Sequence, residues 1–426
     1  MESIVANRMG MDERMNDTWT LPNGLRVIGE RLPYLRSVSI GVWLRVGSMM
    51  ETPQENGLSH FLEHMVFKGT EKRTTRQIAE EMDAVGGQMN AFTGKDCTCF
   101  YARVIDEDLP LAVDMLADLT CHATLDAGEF DKERGVILEE IAMDEDSPED
   151  LVHELLSQAM FGEQSLGQPI LGTSELISSY SRQDLFNYRA RHYTPQSTVV
   201  ALAGNYDPKQ VEELLLEHFG AWQNDAPRID LPPMAPYAGK HAAREKDTEQ
   251  MHLCLGFPGV GYGSEEIYPQ AVLNNLLGGA MSSRLFQRIR EELGMAYSIY
   301  TYPNTYLGCG TFAIYAGVNP RNGEKVLEEI RAELKRLMDE GITEKEYREA
   351  RQQLRGGYLL GLESPGGRMQ AMGRSMLLLN QSVTPAETIR RIEQVTMDSV
   401  MDYARATLTA EPCIAVAGKG AKDFRF

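Results

Sequence analysis

The chain carries one succession of elements twice, on either side of a stretch at 224–250 (NDAPRIDLPPMAPYAGKHAAREKDTEQ) that is rich in proline, alanine and charge and lacks apolar periodicity. Before it, strands near 26–45 lead to a helix at 56–68, a second helix (QIAEEMDAVGG), a strand pair (QMNAFTGKDCTCFYARV) and a third helix (EDLPLAVDMLADLT). After it, a strand (MHLCLGF) leads to a helix (PQAVLNNLLGGAM), another helix (RLFQRIREELG), a strand pair (MAYSIYTYPNTYLGCGTFAIYAGV) and a helix (GEKVLEEIRAELKRL). A chain of 426 residues also exceeds what one hydrophobic core usually serves. The repeat predicts an α+β fold of two structurally similar α/β sandwich domains, with helices packed on a mainly antiparallel sheet in each. The expected divisions are an extension at 1–16, a first domain at 17–223, a linker at 224–250 and a second domain at 251–426.

The first copy differs from the second in its chemistry. Its leading helix reads NGLSHFLEHMVFK, with Asn56 or Ser59 as candidate N-caps and Leu58, Phe61, Leu62 and Met65 as apolar lining. At roughly 100° per residue, His60 and His64 stack on one face, with Glu63 between them and slightly aside. Neutral imidazoles so placed can share one Zn²⁺, and a carboxylate one position short of the second can reach a metal-activated water without being a ligand. The order H-x-x-E-H inverts the commoner H-E-x-x-H zinc motif. Two histidines and a glutamate can also be the polar face of an amphipathic helix, but here their neighbours are apolar, where unpaired imidazole and carboxylate are costly. In the second copy Asn274, Asn275 and Leu276 stand at the equivalent place, so one copy alone can hold metal.

A catalytic zinc takes three protein ligands and keeps a position open for water. The acidic run at 133–144 (ERGVILEEIAMD) is the best source of the third. On a helix Glu133, Ile137, Glu140 and Asp144 form one stripe flanked by Val136 and Ile141, while Glu139 points away. Periodicity leaves Glu133 and Glu140 as candidates. A hydrolytic transition state also needs donors for the developing oxyanion. Arg290, near the end of a helix stopped at Gly294, and Tyr297, at the start of the next strand, are the best candidates from the second copy. The strand Met89-Asn90-Ala91-Phe92-Thr93, if it lies at a sheet edge, can pair with an extended peptide through its backbone.

These residues together carry a resemblance. The segment 56–70 and the segment 133–141 (ERGVILEEI) are similar to the pitrilysin (M16) metallopeptidase family, and most closely to its short-chain branch, which includes the mitochondrial processing peptidase β subunit and bacterial homologues. The likeness runs from about Trp19 to the C-terminal region. It implies that His60, His64 and Glu140 ligate one zinc ion per chain, that Glu63 is the general base, and that Glu133 is a carboxylate orienting a metal-bound imidazole. It further implies that Arg290 and Tyr297 contact the substrate and transition state, and that Asn90 and Ala91 line the substrate cleft. The expected activity is that of a zinc-dependent endopeptidase acting on oligopeptides or extended unfolded segments. The alternative is a non-catalytic scaffold or partner subunit of a processing-peptidase-like complex, a role associated with members lacking the zinc residues. Bacterial single-chain members of this length resemble homodimers, so a homodimer is the expected assembly.

Charge and cysteine content agree with that expectation. A net charge of −20 argues against nucleic acid and anionic membranes as partners; it favours basic peptides only weakly, because surface acidity usually serves solubility. No apolar run approaches a membrane span, and the first residues, MESIVANRMGMDERMNDTW, read as a loose extension rather than a signal or transit peptide. The cysteines at 97, 99, 121, 254, 309 and 413 show no disulfide spacing, and Cys97 and Cys99 read as buried small hydrophobes. A reduced, cytoplasmic setting is expected.

Overall fold

In the computed structural model, which describes residues 16–227, 229 and 233–426, two sheets organise the chain. The first consists of β1 (Asp17–Thr20), β2 (Arg26–Arg31), β3 (Ser37–Leu44), β4 (Gln88–Thr93), β5 (Thr98–Ile105) and β6 (Thr198–Gly204), in the order β1-β2-β6-β3-β5-β4. The second consists of β7 (His241–Glu245), β8 (Met251–Gly259), β9 (Ala296–Thr305), β10 (Gly310–Val318) and β11 (Cys413–Gly418), in the order β7-β11-β8-β10-β9. The series β2-β6-β3-β5-β4 and β7-β11-β8-β10-β9 have one topology, a parallel first pair followed by antiparallel pairs. The duplication seen in the sequence therefore extends to strand order and direction.

The strand β7 falls inside the stretch expected to be a linker. Its sequence, HAARE, is mostly exposed and has no apolar face to announce it; backbone pairing with β11 is what makes it a strand. The second unit thus begins at least by His241, ahead of the expected boundary at 251. The extension expected at 1–16 lies outside the described residues except for Asn16, as do linker positions 228 and 230–232.

Four helices position the chemistry: α1 (Leu58–Val66), α2 (Ala127–Asp146) and α3 (Pro148–Phe161) from the first half, and α4 (Pro365–Leu379) from the second. The halves exchange helices. α3 packs on β11, β8 and β7 of the second sheet, and α4 on β6, β3 and β2 of the first. Leu155, Leu156 and Met160 of α3 bury against Cys254, Ala415 and Ala417, and Met369, Met372 and Met376 of α4 against Trp43, Val199 and Ala201. Covering both faces explains why β6 (TVVALAG) and β11 (CIAVAG) are apolar and buried at nearly every position instead of alternating. Close approach has a sequence requirement as well: a Cβ at Gly373 of α4 would lie 2.3 Å from the Trp43 indole nitrogen. Because each half supplies part of the other's core, separating them would expose both helix faces to water.

All six thiols are free; Cys97 and Cys99 are buried in the core under α4, as the sequence suggested for small hydrophobes. Among the described residues no helix is long and apolar enough to cross a membrane.

Candidate metal centre

The helix α1 is anchored by its apolar face and by an unusual N-terminus. Leu58, Phe61, Leu62, Met65 and Val66 are buried, each such side chain stabilising the fold by about 1.5–3 kcal/mol. Neither Asn56 nor Ser59 caps the helix with its side chain. The N-cap is Gly57, at φ +95°, and a Cβ there would lie 2.7 Å from the Leu171 carbonyl oxygen. Its capping acceptor comes from outside the helix. Glu51, 5% exposed, accepts from Gly57 N at 2.9 Å and Asn56 Nδ2 at 3.1 Å through one oxygen, and from Ser59 N at 2.7 Å through the other. Burial pushes the Glu51 carboxyl up to about 7, against the downward pull of these donors. The Ser59 hydroxyl is joined to Tyr188 at 2.8 Å, which fixes the same turn from a second side.

Phe61 of α1 stacks on Phe130 of α2 at 5.0 Å between ring centroids, and this contact holds the histidine helix beside the glutamate helix. The stripe expected on α2 is present. Glu133 is buried and shares a hydrogen bond of 2.8 Å with His64 Nδ1, while its other oxygen pairs with Lys68 Nζ at 2.8 Å. Glu140 Oε2 lies 3.7 Å from His60 Nε2 and 3.6 Å from His64 Nε2. Asp144 reaches the wall of the adjoining cavity, Glu139 faces solvent, and Val136 is exposed at 45% rather than flanking the core. The choice that periodicity left open is thus decided by geometry: Glu140 joins the two imidazoles and Glu133 backs one of them.

The three atoms fit a divalent ion. They lie within 4.8 Å of one another, and His60, His64 and Glu140 are the one such group among the described residues. Their separations approach the roughly 3.4 Å expected of two ligands held about 2.1 Å from a tetrahedral zinc. Burial, with the neighbouring His64, holds His60 down to about 3, so its imidazole is the neutral form that binds metal. With His64 bonded through Nδ1 to Glu133, its Nε2 is left for the ion; His60 Nδ1 is buried without a partner, so that ring lacks the orienting bond that Glu133 gives His64.

Glu63 stands beside this group on the cavity wall. Thr93 Oγ1 of β4 donates to Glu63 Oε2 at 2.5 Å, leaving Oε1 uncommitted. Burial raises the Glu63 carboxyl, opposed by the Thr93 bond and the His64 charge and assisted by Glu140. The cavity of about 710 Å³ is bounded by His60, Glu63, Phe92, Thr93, Lys95 and Glu154 among others, and α3 forms much of its far wall.

The chain has the sequence relationships that this geometry leads one to expect. A family model described as "Insulinase (Peptidase family M16)" matches residues 26–174, and one described as "Peptidase M16 inactive domain" matches residues 179–354. The zinc protease YmxG of Bacillus subtilis is 44% identical over 398 residues, covering 93% of this chain and 97% of that protein. The chain belongs to peptidase family M16. A zinc protease of Streptomyces coelicolor is 43% identical over 94% of this chain and 88% of its own length. The M16 fold is seen again in a protease from Helicobacter pylori, at TM-score 0.90 and 22% identity, covering 95% of this chain and 99% of that one. The M16 inactive domain from Pseudomonas fluorescens matches at TM-score 0.87 and 19% identity, covering 95% of this chain and 98% of that one.

Other residues singled out from the sequence of this M16 chain are distributed as follows. Arg290 and Tyr297 stand together, the guanidinium 5.8 Å from the tyrosine ring centroid, with Tyr297 76% exposed; neither borders the cavity at Glu63. Arg290 lies in a π-helical segment, Phe286–Glu292, where an ordinary helix was expected; Gly294 at φ +59° ends it, and β9 then begins at Ala296. β4 is an edge strand, but its cavity-lining residues are Phe92 and Thr93; Asn90 is exposed and Ala91 packs into the first core. In the second copy Asn274 accepts from the Thr301 hydroxyl and Asn275 donates to the Ala350 carbonyl, so polar side chains stitch the helix where the first copy has its histidines. Sequence reasoning missed Glu51, Lys68, Thr93 and Tyr188. All four act across 8 to 129 positions, and no local period marks them.

Proposed function

We propose that this protein is a zinc-dependent endopeptidase that hydrolyses oligopeptides or extended, unfolded segments. The observation that carries the reading is the convergence of His60 Nε2, His64 Nε2 and Glu140 Oε2 within 4.8 Å, with a half-buried carboxylate of raised pKa, Glu63, beside them. Zinc held by these three residues would polarise a carbonyl and acidify a water. The remaining work belongs to the chain. Glu63, held by Thr93 at Oε2, takes the proton of the attacking water at Oε1 and passes it to the leaving amine; its raised pKa matches it to both transfers. The outer edge of β4, which has no neighbouring strand among the described residues, offers its backbone to an extended peptide, with Ala91 N–H held there by Asn90 Oδ1 at 2.8 Å, and such pairing supplies affinity with little demand on sequence. Arg290 and Tyr297, adjacent and open to solvent, are offered as donors to a peptide bridging the halves.

The reading of a silent scaffold has no support at the metal centre, where no ligand or base is replaced. It suits the second half alone, whose equivalent helix carries asparagines bonded within the fold. Metal analysis and a quenched-peptide assay on wild type and Glu63→Gln test the proposal. Stoichiometric zinc in both and turnover only in wild type are expected; equal turnover, or undiminished cleavage after exhaustive chelation, would remove it.

A further inference from the structure

A second cavity, of about 560 Å³, lies on the other side of β4 from the metal centre. Successive side chains of a strand point to opposite faces. In β4, Met89 and Ala91 turn to the core beneath α1, and Thr93, on the same face, reaches Glu63; Phe92 turns the other way, to the core beneath α4. There its ring meets the Trp43 ring edge-on at 5.6 Å. Tyr262 and Tyr306 of the second half complete an aromatic wall, so the cavity is built by both halves. Its polar element is an ion pair. Arg374 of α4 donates to Asp96 at 3.0 Å and to the Thr305 carbonyl at 2.9 Å, and its guanidinium stacks over Tyr262 at 4.6 Å. The Arg374 Nε–H is buried without an acceptor.

This cavity adjoins the candidate cleft, since Phe92 and Lys95 border both. Among the described residues β4 has no neighbour on its outer edge. We infer that the cavity is a subsite for an aromatic side chain of the peptide strand that pairs with β4, which rests on the peptidase reading above. A residue opposite Phe92 on such a strand has its Cβ about 5 Å from that of Phe92 and projects to the same face. One set of substrate side chains then faces Glu63, and the alternate set faces Trp43. A wall of aromatic rings favours an aromatic occupant over an aliphatic one. The Asp96–Arg374 pair is already neutralised, so it offers no counter-ion to a charged side chain.

The test uses the full-length, zinc-loaded protein and a quenched peptide of otherwise small residues in which each position in turn is Ala, Phe or Tyr. At one position the aromatic residue should raise kcat/KM about tenfold, the scale of discrimination by an apolar pocket. Ala371 is exposed on α4 and borders the cavity, so Ala371→Trp fills it without touching the metal centre. That variant should cleave the all-alanine peptide as wild type does and lose the aromatic gain; Gln370→Trp, from the same wall, should do likewise. An aromatic gain that survives both substitutions, or cleavage with no gain at any position, overturns the subsite and leaves the peptidase intact. Failure to cleave any peptide overturns both.

Discussion

Thr93 and Glu63 are joined by a hydrogen bond of 2.5 Å that ties the edge strand β4 to the histidine helix α1. Under the proposed mechanism this bond ties the strand that would receive the peptide to the residue that would take the proton, so a peptide aligned on β4 would be aligned on Glu63 as well. Thr93→Val keeps the β-branched shape and deletes the donor. Hydrogen bonds to charged groups contribute about 1.5–3 kcal/mol, which corresponds to roughly 10–100-fold in rate if the bond acts mainly in the transition state. We expect kcat to fall by that order with zinc content unchanged. Steady-state kinetics with metal analysis checks it, and a loss confined to KM would show that Thr93 serves binding alone.

The link between Glu51 and the start of α1 predicts a pH dependence of stability. The folded-state pKa of Glu51 is raised from 4.5 to about 7, so between these values the folded protein holds a proton that the unfolded chain has released. The contribution is therefore fully present below pH 4.5, declines as pH rises through the window, and is lost above about 7. The span corresponds to a contribution on the order of 3 kcal/mol. Glu51→Gln cannot titrate. Urea unfolding of metal-free protein at pH 5 and 7.5 should show a stability difference between wild type and variant that shifts against wild type at the higher pH; a constant difference would contradict the assignment.

Glu133 holds His64 by its Nδ1 and is itself held by Lys68. Removing a carboxylate in this position typically weakens metal affinity about 10–100-fold. Glu133→Gln should show that loss in a chelator competition, whereas Glu140→Gln, which removes a candidate ligand, should lose more. The order of the two affinities is the decisive reading, since equal losses would leave the third ligand undecided.

Gly57 is required by backbone as well as by space. At φ +95°, with a neighbouring carbonyl 2.7 Å from any Cβ, Gly57→Ala strains the turn and displaces the segment around Leu171. We expect about 2 kcal/mol or more of destabilisation, visible as a lowered Tm by calorimetry. An unchanged Tm would show that the turn has room to relax.

Much of this was legible before any coordinates. Strand and helix order, the duplication and the pairing of His60 with His64 depend on periods of two and 3.6 residues, which a local stretch of chain reveals. Glu133 and Glu140 could be placed on one stripe, but periodicity could not say which met the imidazoles, because the answer depends on how far along α2 the Phe61–Phe130 contact sets α1. β7 escaped notice because pairing with β11, rather than its own pattern, makes it a strand. Glu51 escaped because a capping acceptor outside the helix leaves no signature at the helix itself.

The amino-acid sequence by itself determined which residues could do the chemistry: two imidazoles and a glutamate on one helical face, carboxylates on another, and a second copy without them. Tertiary structure alone decided which of these meet, how Glu63 is oriented by Thr93, and that each half completes the other's core through an exchanged helix. The physical reason is range. Helical and strand periods follow from torsion angles of neighbouring residues, whereas the position of one element against another follows from packing among side chains far apart in the chain.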